Sequence, residues 1–257
     1  MIHSNKQKGF TLIELSIVIV IIGLIIAGVV AGQSIVKQAQ LRAIVTEQDQ
    51  IRVSLNSFKL QFDAVPGDFK DASDYWGTDC HATDDDICNG DGNKKILMSG
   101  TTKLNESYYA WHHLALAGLY SGSFTPGDGS IVGDIGVNIP ASKFPNTGIT
   151  LAYDDSSAGA TNITAGDGDD TSGNGRDANK NVMMFGGEVA SDIANATMFT
   201  AAQAKGIDDK IDDGNPTQGL VLGSGTTTEA AGTCLASATA YNLDSTDDSP
   251  CAIAITF

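Results

Sequence analysis

Apolar residues are concentrated in one uninterrupted run near the start of the chain. Residues 10–31 contain a single charged side chain, Glu14, and are preceded by Lys6 and Lys8 with no acidic residue. At about 1.5 Å of rise per residue, the run reaches roughly 30 Å as a helix, enough to cross a bilayer core. The pattern predicts a transmembrane helix with its N terminus in the cytoplasm and the rest of the chain outside.

The hydrophobic periodicity changes after this run but remains helical. From residue 41 onward, apolar or amide side chains recur at alternating intervals of three and four residues: Leu41, Ile44, Gln48, Ile51, Leu55, Phe58 and Phe62. This spacing predicts an amphipathic helix with one apolar seam, continuous with the span. Pro66 and Gly67 forbid its continuation, so we expect one helix over residues 10–62.

Shorter elements are predicted in the remainder of the chain. Asn105 is a candidate N-cap for a helix to about residue 117, and Thr200 with Gln203 has the spacing of a capping box that opens another helix. Short apolar segments bounded by Gly or Pro predict strands. They lie at residues 134–139, 148–153, 181–185, 219–223 and 252–257.

Glu14 is the unusual residue of the apolar run. A carboxylate within a membrane span costs a few kcal/mol on insertion scales and by default marks a functional residue that has a partner. No Lys or Arg lies within one helical turn of Glu14. We therefore expect its partner to be non-local.

The residues around Glu14 form a specific motif. Residues 8–15, Lys-Gly-Phe-Thr-Leu-Ile-Glu-Leu, resemble the prepilin cleavage and methylation signature of type IV pilins and type II secretion pseudopilins. The resemblance implies that a prepilin peptidase/methylase cuts between Gly9 and Phe10 and methylates the new Phe10 amine. It also implies that Glu14 pairs with the Phe10 amine of a neighbouring subunit during assembly on an inner-membrane platform.

The same resemblance implies the architecture and role of the chain. We expect a leader at residues 1–9, an N-terminal helix at 10–62 whose first part (10–31) forms the membrane span and filament core, and a head at 63–257. The expected fold class is α+β, with the long helix packed on an antiparallel sheet. The expected role is that of a structural filament subunit, not an enzyme, held in the inner membrane before assembly and then part of a periplasmic or extracellular filament.

Three other interpretations remain open at this point. The chain is a pseudopilin of type II secretion, or a helix-tethered extracellular binding or hydrolytic module, or a secreted protein with a signal peptide cleaved near Ala31. A signal peptide normally has a shorter apolar region. A helix that only anchors a module in the membrane does not need a carboxylate within its span.

Charge is distributed as unevenly as hydrophobicity. Residues 63–257 contain 28 acidic and 9 basic side chains, a formal charge of −19. Nucleic acids bind through clustered Lys and Arg, so direct binding of nucleic acid by this head is not expected. A solvated acidic head on a nearly neutral helix is the simplest account.

The cysteines all fall in the segment placed outside the membrane. An even number of cysteines in an oxidising compartment indicates disulfides, and four thiols allow three connectivities. Proximity in sequence favours Cys80 with Cys88 and Cys234 with Cys251, and the second pair resembles the terminal disulfide of many pilins. A zinc site at Cys80 and His81 is a weak alternative, because the chain has no C-x-x-C pair.

Clusters of Asp and Asn in Gly-containing loops suggest Ca²⁺, a hard cation that prefers oxygen ligands in flexible turns. None of the clusters has EF-hand spacing, and solvated turns are the alternative explanation. Major pseudopilins bind calcium in a head loop, which favours the idea, and no other cofactor is expected. The candidate ligands are Asp84, Asp86, Asn89, Asp91, Asn93, Asp208, Asp209, Asp212 and Asp213.

Overall fold

The computed structural model describes most of the chain in ten stretches. They are residues 10–80, 88–97, 106–125, 133–154, 180–189, 194, 196–224, 234–237, 239–244 and 251–257. Contacts divide the chain into two compact units, Met1–Gln40 and Leu41–Phe257. The predicted α+β class is confirmed: a long apolar helix is followed by a four-stranded antiparallel sheet.

The first helix, α1, spans Leu12–Phe62. Its second part buries the predicted seam, including Ile44, Gln48, Ile51, Leu55 and Phe58. The helix stops one turn before Pro66, and Asp63 already has a left-handed φ of 51°. The periodic pattern and the Pro-Gly stop signal therefore set both the face and the end of α1.

Three shorter helices follow within the described stretches. Helix α2 spans Ala72–Trp76 and continues into a 3₁₀ turn at Gly77–Asp79, α3 spans Glu106–Leu116, and α4 spans Ala201–Ile211. The predicted capping box of α4 is confirmed, because the Gln203 amide donates to Thr200 Oγ1 while the Thr200 amide donates to Gln203 Oε1. The expected N-cap of α3, Asn105, lies outside the described residues.

The main sheet has four antiparallel strands in the order β1-β2-β6-β3. Strands β4 and β5 form a separate antiparallel pair. The strand ranges are β1 Gly148–Asp154, β2 Lys180–Gly186, β3 Val221–Ser224, β4 Leu235–Ser237, β5 Ala240–Tyr241 and β6 Ala252–Thr256. Four of the five predicted strands correspond to the strands of the main sheet.

The strand predicted at residues 134–139 is wrong. Gly136 has a φ of +85°, and the amides of Val137 and Asn138 both donate to the Asp134 carbonyl, so the segment turns back on itself. The Asn138 side chain closes the turn by accepting from the Asp134 amide at 2.9 Å. Only the ends of the turn, Ile135 and Ile139, meet in an isolated bridge.

The core of the second unit lies between α1, α3 and one face of the sheet. Phe58 of α1 contacts Trp76 and the imidazole of His113, and Trp111 and Tyr108 of α3 are fully buried. Burial of one large apolar side chain contributes about 1.5–3 kcal/mol. His113 is buried by these rings, and its neutral Nδ1 accepts from the Gly67 amide at 2.9 Å, which ties α3 to the end of α1.

Both outer strands of the main sheet form backbone hydrogen bonds to loops on the side that faces away from the neighbouring strand. On β1, the Ile149 amide donates to Pro140 O at 3.1 Å and the Tyr153 amide donates to Ile96 O at 2.7 Å. On β3, the Gly223 amide donates to Pro216 O at 2.8 Å. These bonds occupy amide groups that would otherwise be free to pair with another strand.

Candidate processing and assembly site

The N-terminal end of α1 is closed by a capping box. The Thr11 amide and the Thr11 hydroxyl both donate to Glu14 Oε2, each at 2.8 Å, and the Glu14 amide donates to Thr11 Oγ1 at 3.3 Å. Thr followed by Glu three residues later is the sequence pattern for this motif, in which two unpaired helix amides receive acceptors. Thr11 thus holds the Glu14 carboxylate at the N-terminal end of the helix.

Thr11 is a local hydrogen-bond partner of Glu14 that the sequence-based expectation does not include. It is neutral, and both of its hydrogen bonds use Oε2, so the expected charged partner on a neighbouring subunit stays a prediction. Among the described residues, none donates to Oε1 of Glu14. Phe10, the first described residue, is 92% exposed and adjoins the cap. Gly9, the other half of the expected cleavage point, lies outside the described residues.

The apolar part of α1 is exposed along its described length. None of its most hydrophobic window, with a mean hydropathy of 2.9, is buried, and among the described residues α1 alone is long and apolar enough to cross a membrane. Even its least exposed large side chain, Ile22, is 48% exposed. Such a surface needs lipid or other helices around it.

The four cysteines form two disulfides, Cys80 with Cys88 and Cys234 with Cys251. These are the pairings that proximity favours, and both are buried. The sulfurs of Cys80 and Cys88 are therefore not available to zinc in this state, and His81 lies outside the described residues. The second bridge links the residue that precedes β4 to the residue that precedes β6.

The acidic loop near Cys88 is organised by carboxylates from two other elements. Asp68, after α1, accepts from the Gly92 amide at 2.6 Å and from the Lys94 amide. Glu106, at the start of α3, accepts from the Asp91 amide at 3.2 Å and the Leu97 amide at 2.6 Å. Asp68 and Glu106 thus fix the loop over residues 91–97.

Asp91 joins these two carboxylates in one cluster, in which an oxygen of each group lies within 4.8 Å of the others. Burial, together with the charges of Asp68 and Asp91, raises the pKa of Glu106 to about 8. Burial also raises the pKa of Asp68. A proton or a bound cation would relieve the repulsion between these groups.

The other candidate calcium ligands near Cys88 are placed differently. The Asn89 side chain accepts from the Ser73 amide and donates to its hydroxyl, each at 2.8 Å. Asn93 donates to Asp91 Oδ2 at 2.8 Å and accepts from the Lys95 amide at 2.7 Å. Asp84 and Asp86 lie outside the described residues.

The second acidic cluster lies at the end of α4. Oxygens of Asp208, Asp212 and Asp213 lie within 4.8 Å of one another, whereas Asp209 forms an ion pair with Lys205 at 2.6 Å. Asp208 accepts from the Tyr241 hydroxyl at 2.9 Å and from the Gly214 amide at 3.0 Å. Burial, together with the charges of Asp213 and Asp212, raises the pKa of Asp208 to about 6.

Four residues of these sites were absent from the sequence-based prediction: Thr11, Asp68, Glu106 and Tyr241. The Thr-x-x-Glu spacing of Thr11 and Glu14 is the sequence pattern that identifies Thr11 as a capping residue. Asp68 and Glu106 are far apart in sequence and are brought together only by the packing of α3 against the end of α1. No local pattern identifies them or Tyr241 as members of a cluster.

The comparisons with known proteins bear on the N-terminal part of the chain. Residues 4–30 match the family model described as the prokaryotic N-terminal methylation motif. Comparison with curated proteins and with solved structures finds no match. The match includes Phe10, Thr11, Glu14 and most of the uncovered apolar helix, and it supports a type IV pilin or pseudopilin class, whose members are structural proteins. The chain thus carries, at residues 4–30, the N-terminal methylation signature of type IV pilins and pseudopilins.

Proposed function

We propose that this chain is a structural subunit of a type IV pilus-like filament, cleaved after Gly9 and polymerised through the apolar part of α1. One observation carries the proposal. A carboxylate, Glu14, is held by Thr11 beside Phe10 at the start of an uncovered apolar helix, within the methylation motif.

The chemistry of assembly follows from this arrangement. Cleavage after Gly9 leaves a cationic amine on Phe10, and Oε1 of Glu14 accepts from the amine of a neighbouring subunit. Two opposite charges are tolerated together in apolar surroundings, whereas one left unpaired there costs several kcal/mol. The bonds from Thr11 supply the carboxylate with donors while the subunit is still alone in the membrane.

The proposal includes a topology and a set of partners. Lys6 and Lys8 keep the N terminus in the cytoplasm, and the head lies outside, where an oxidising compartment permits its disulfides. Partners are other pilin subunits, a prepilin peptidase/methylase and an inner-membrane assembly platform. The assembled filament is periplasmic or extracellular, and its acidic heads form the surface.

A type II secretion pseudopilin is the second candidate. The convergence of Asp208, Asp212 and Asp213 favours it, because a calcium-dependent head would point to that class. Long surface filaments formed without added calcium would point to a pilus. A tethered binding or hydrolytic module is disfavoured by Glu14, which a tether does not need.

The first test is the identity of the mature N terminus. We expect mass spectrometry of the envelope fraction to find methylated Phe10 as the first residue. A chain that begins at Met1, or after Ala31, would refute the proposal. The measurement does not depend on whether the filament serves adhesion, motility, DNA uptake or secretion.

The second test concerns Glu14. We expect Glu14→Ala to leave membrane insertion and cleavage intact but to reduce incorporation into filaments, as measured in the sheared filament fraction. Glu14→Asp, which retains a carboxylate at this position, is the matched control and should assemble better than Glu14→Ala. Normal incorporation of Glu14→Ala would contradict the pairing mechanism.

A further inference from the structure

A cavity of about 310 Å³ lies beside the last turn of α1. Its volume is at the lower end of the range for pockets that hold small molecules. Two of its lining residues are lysines, although the head that contains the cavity is strongly acidic. The lining residues are Lys59, Asp63, Ala64, Val65, Lys94 and Asn181. The cavity thus brings together two positive charges that are far apart in sequence.

Lys59 lies at this cavity without a counter-charge. The residue is half-buried, and its ammonium lies over the ring of Phe257, 5.0 Å from the ring centroid. Among the described residues, no carboxylate forms an ion pair with Lys59. Burial lowers the pKa of Lys59 below 10.5, because the loss of water destabilises the charged ammonium. A bound anion would stabilise this ammonium in place of the lost water.

Lys94 is fixed at the cavity by its backbone. Its amide donates to Asp68 Oδ2, and its carbonyl accepts from Asn181 Nδ2 at 2.9 Å. Asn181 Oδ1 accepts from the Ile96 amide at 3.0 Å, so both polar atoms of this carboxamide are held in place. Asn181 Nδ2 keeps a second N–H that it can donate. Within the described part of the chain, the Lys94 ammonium also has no ion pair with a carboxylate.

Asp63 limits the kind of anion that fits this cavity. Its carboxylate repels an anion that has no hydrogen to donate, whereas a hydroxyl group of a ligand can donate to its oxygens. The two ammonium groups and the second N–H of Asn181 are donors suited to the oxygens of a carboxylate or a phosphate. The lining residues therefore fit an anion that also carries hydroxyl groups. A long polyanion is disfavoured, because the acidic head repels every part of it that lies outside the cavity.

We infer that this cavity binds a small hydroxylated anion, a sugar acid or a sugar phosphate. Lys59 and Lys94 bind its carboxylate or phosphate group, and Asp63 accepts from one of its hydroxyl groups. The inference goes beyond the proposed function and does not depend on it, because polymerisation through the apolar part of α1 requires no small-molecule ligand. It gives the acidic head a binding activity of its own.

Calorimetric titration of the full chain in detergent, at constant ionic strength, tests the site. Glucuronate and inorganic phosphate should bind, and glucose, which is neutral, should not. Lys59→Met and Lys94→Met keep an unbranched side chain without its charge, and each should weaken binding about tenfold. Lys95→Met is the matched control, because Lys95 also lies over a ring, that of Tyr153, but does not line the cavity. Equal weakening by all three variants, or no binding of either anion, would overturn the inference.

Lysine acetylation tests the site in the wild-type chain, without any substitution. Acetic anhydride reacts with the neutral amine, a form that the lowered pKa of Lys59 favours. Glucuronate should slow the acetylation of Lys59 and Lys94 and leave that of Lys95 unchanged, as measured by mass spectrometry of peptides. Glucose should protect none of the three. Acetylation of Lys59 at the same rate with and without saturating glucuronate would overturn the inference.

The outcomes separate this inference from the proposed function. If the mature chain begins at methylated Phe10 but neither anion binds, the site is wrong and the filament role stands. If the anions bind through Lys59 and Lys94 but the mature chain begins elsewhere, the site stands and the filament role fails. Binding that both lysine variants weaken, together with selective protection of Lys59 and Lys94 from acetylation, supports the site.

Discussion

Replacement of Glu106 by Gln should reduce the pH dependence of head stability. Glu106 accepts two backbone hydrogen bonds from the loop at 91–97 and lies beside Asp68 and Asp91. Burial raises the pKa of Glu106 from 4.5 to about 8, so the folded head binds a proton more tightly than the unfolded chain does. Stability is therefore highest below pH 4.5 as far as this group is concerned, and falls as the pH rises towards 8.

The magnitude follows from the displacement of the pKa. Each pKa unit corresponds to about 1.36 kcal/mol, so a rise to about 8 in a group that acts alone has a ceiling of about 5 kcal/mol. Asp68 shares the proton with Glu106, and we expect a loss of a few kcal/mol between pH 5 and pH 9. Gln stays neutral throughout this range, and its amide preserves an acceptor for the loop and a donor to Asp68.

Urea unfolding of the compact unit Leu41–Phe257 at several pH values measures the effect. The wild-type midpoint should fall from pH 5 to pH 9, and the fall should be much smaller for Glu106→Gln. Asp208→Asn is the matched control, because it removes another group with a raised pKa, about 6, at a separate cluster. Equal pH slopes for wild type and Glu106→Gln would refute the reasoning.

Three further predictions concern the helix cap, the disulfides and calcium. Thr11→Ala should reduce filament incorporation while Thr11→Ser, which retains the hydroxyl, should not; equal incorporation of the two variants would exclude a positioning role. Removal of the Cys80–Cys88 or the Cys234–Cys251 bridge should cost about 2.6 and about 3.2 kcal/mol of unfolding free energy from loop closure, with urea midpoints as the readout. Ca²⁺ should raise the melting temperature of the head more than Mg²⁺ or NaCl at matched ionic strength, and equal shifts would mean that the acidic loops are solvated turns.

Short-range sequence patterns correctly predict the elements that such patterns specify. The spacing from Leu41 to Phe62 identifies the buried side of α1, and Thr200 with Gln203 marks the start of α4 to the residue. The same Thr-x-x-Glu spacing at Thr11 and Glu14 is equally local. There a neutral hydroxyl contacts the carboxylate within the chain, and the charged partner on a neighbouring subunit stays a prediction.

Sequence-based prediction fails where the structure depends on long-range contacts or on an unusual backbone conformation. Ile135, Val137 and Ile139 alternate as a strand does, but the positive φ of Gly136 reverses the chain. The pairing of Asp68 with Glu106 depends on α3 packing against the end of α1, which neither segment encodes by itself. Burial, and with it the pKa of such a group, follows from that packing and not from the adjacent residues.

The covered edges of the main sheet limit how subunits can associate. The bonds to Pro140 O, Ile96 O and Pro216 O leave the described amides of Ile149, Tyr153 and Gly223 already paired. Strand addition, in which one subunit completes the sheet of the next, would first have to break these bonds. Heads whose sheet edges are already hydrogen-bonded can contact one another without adding a strand to each other's sheets. If the chain polymerises as proposed, the head of a subunit that leaves the polymer stays folded.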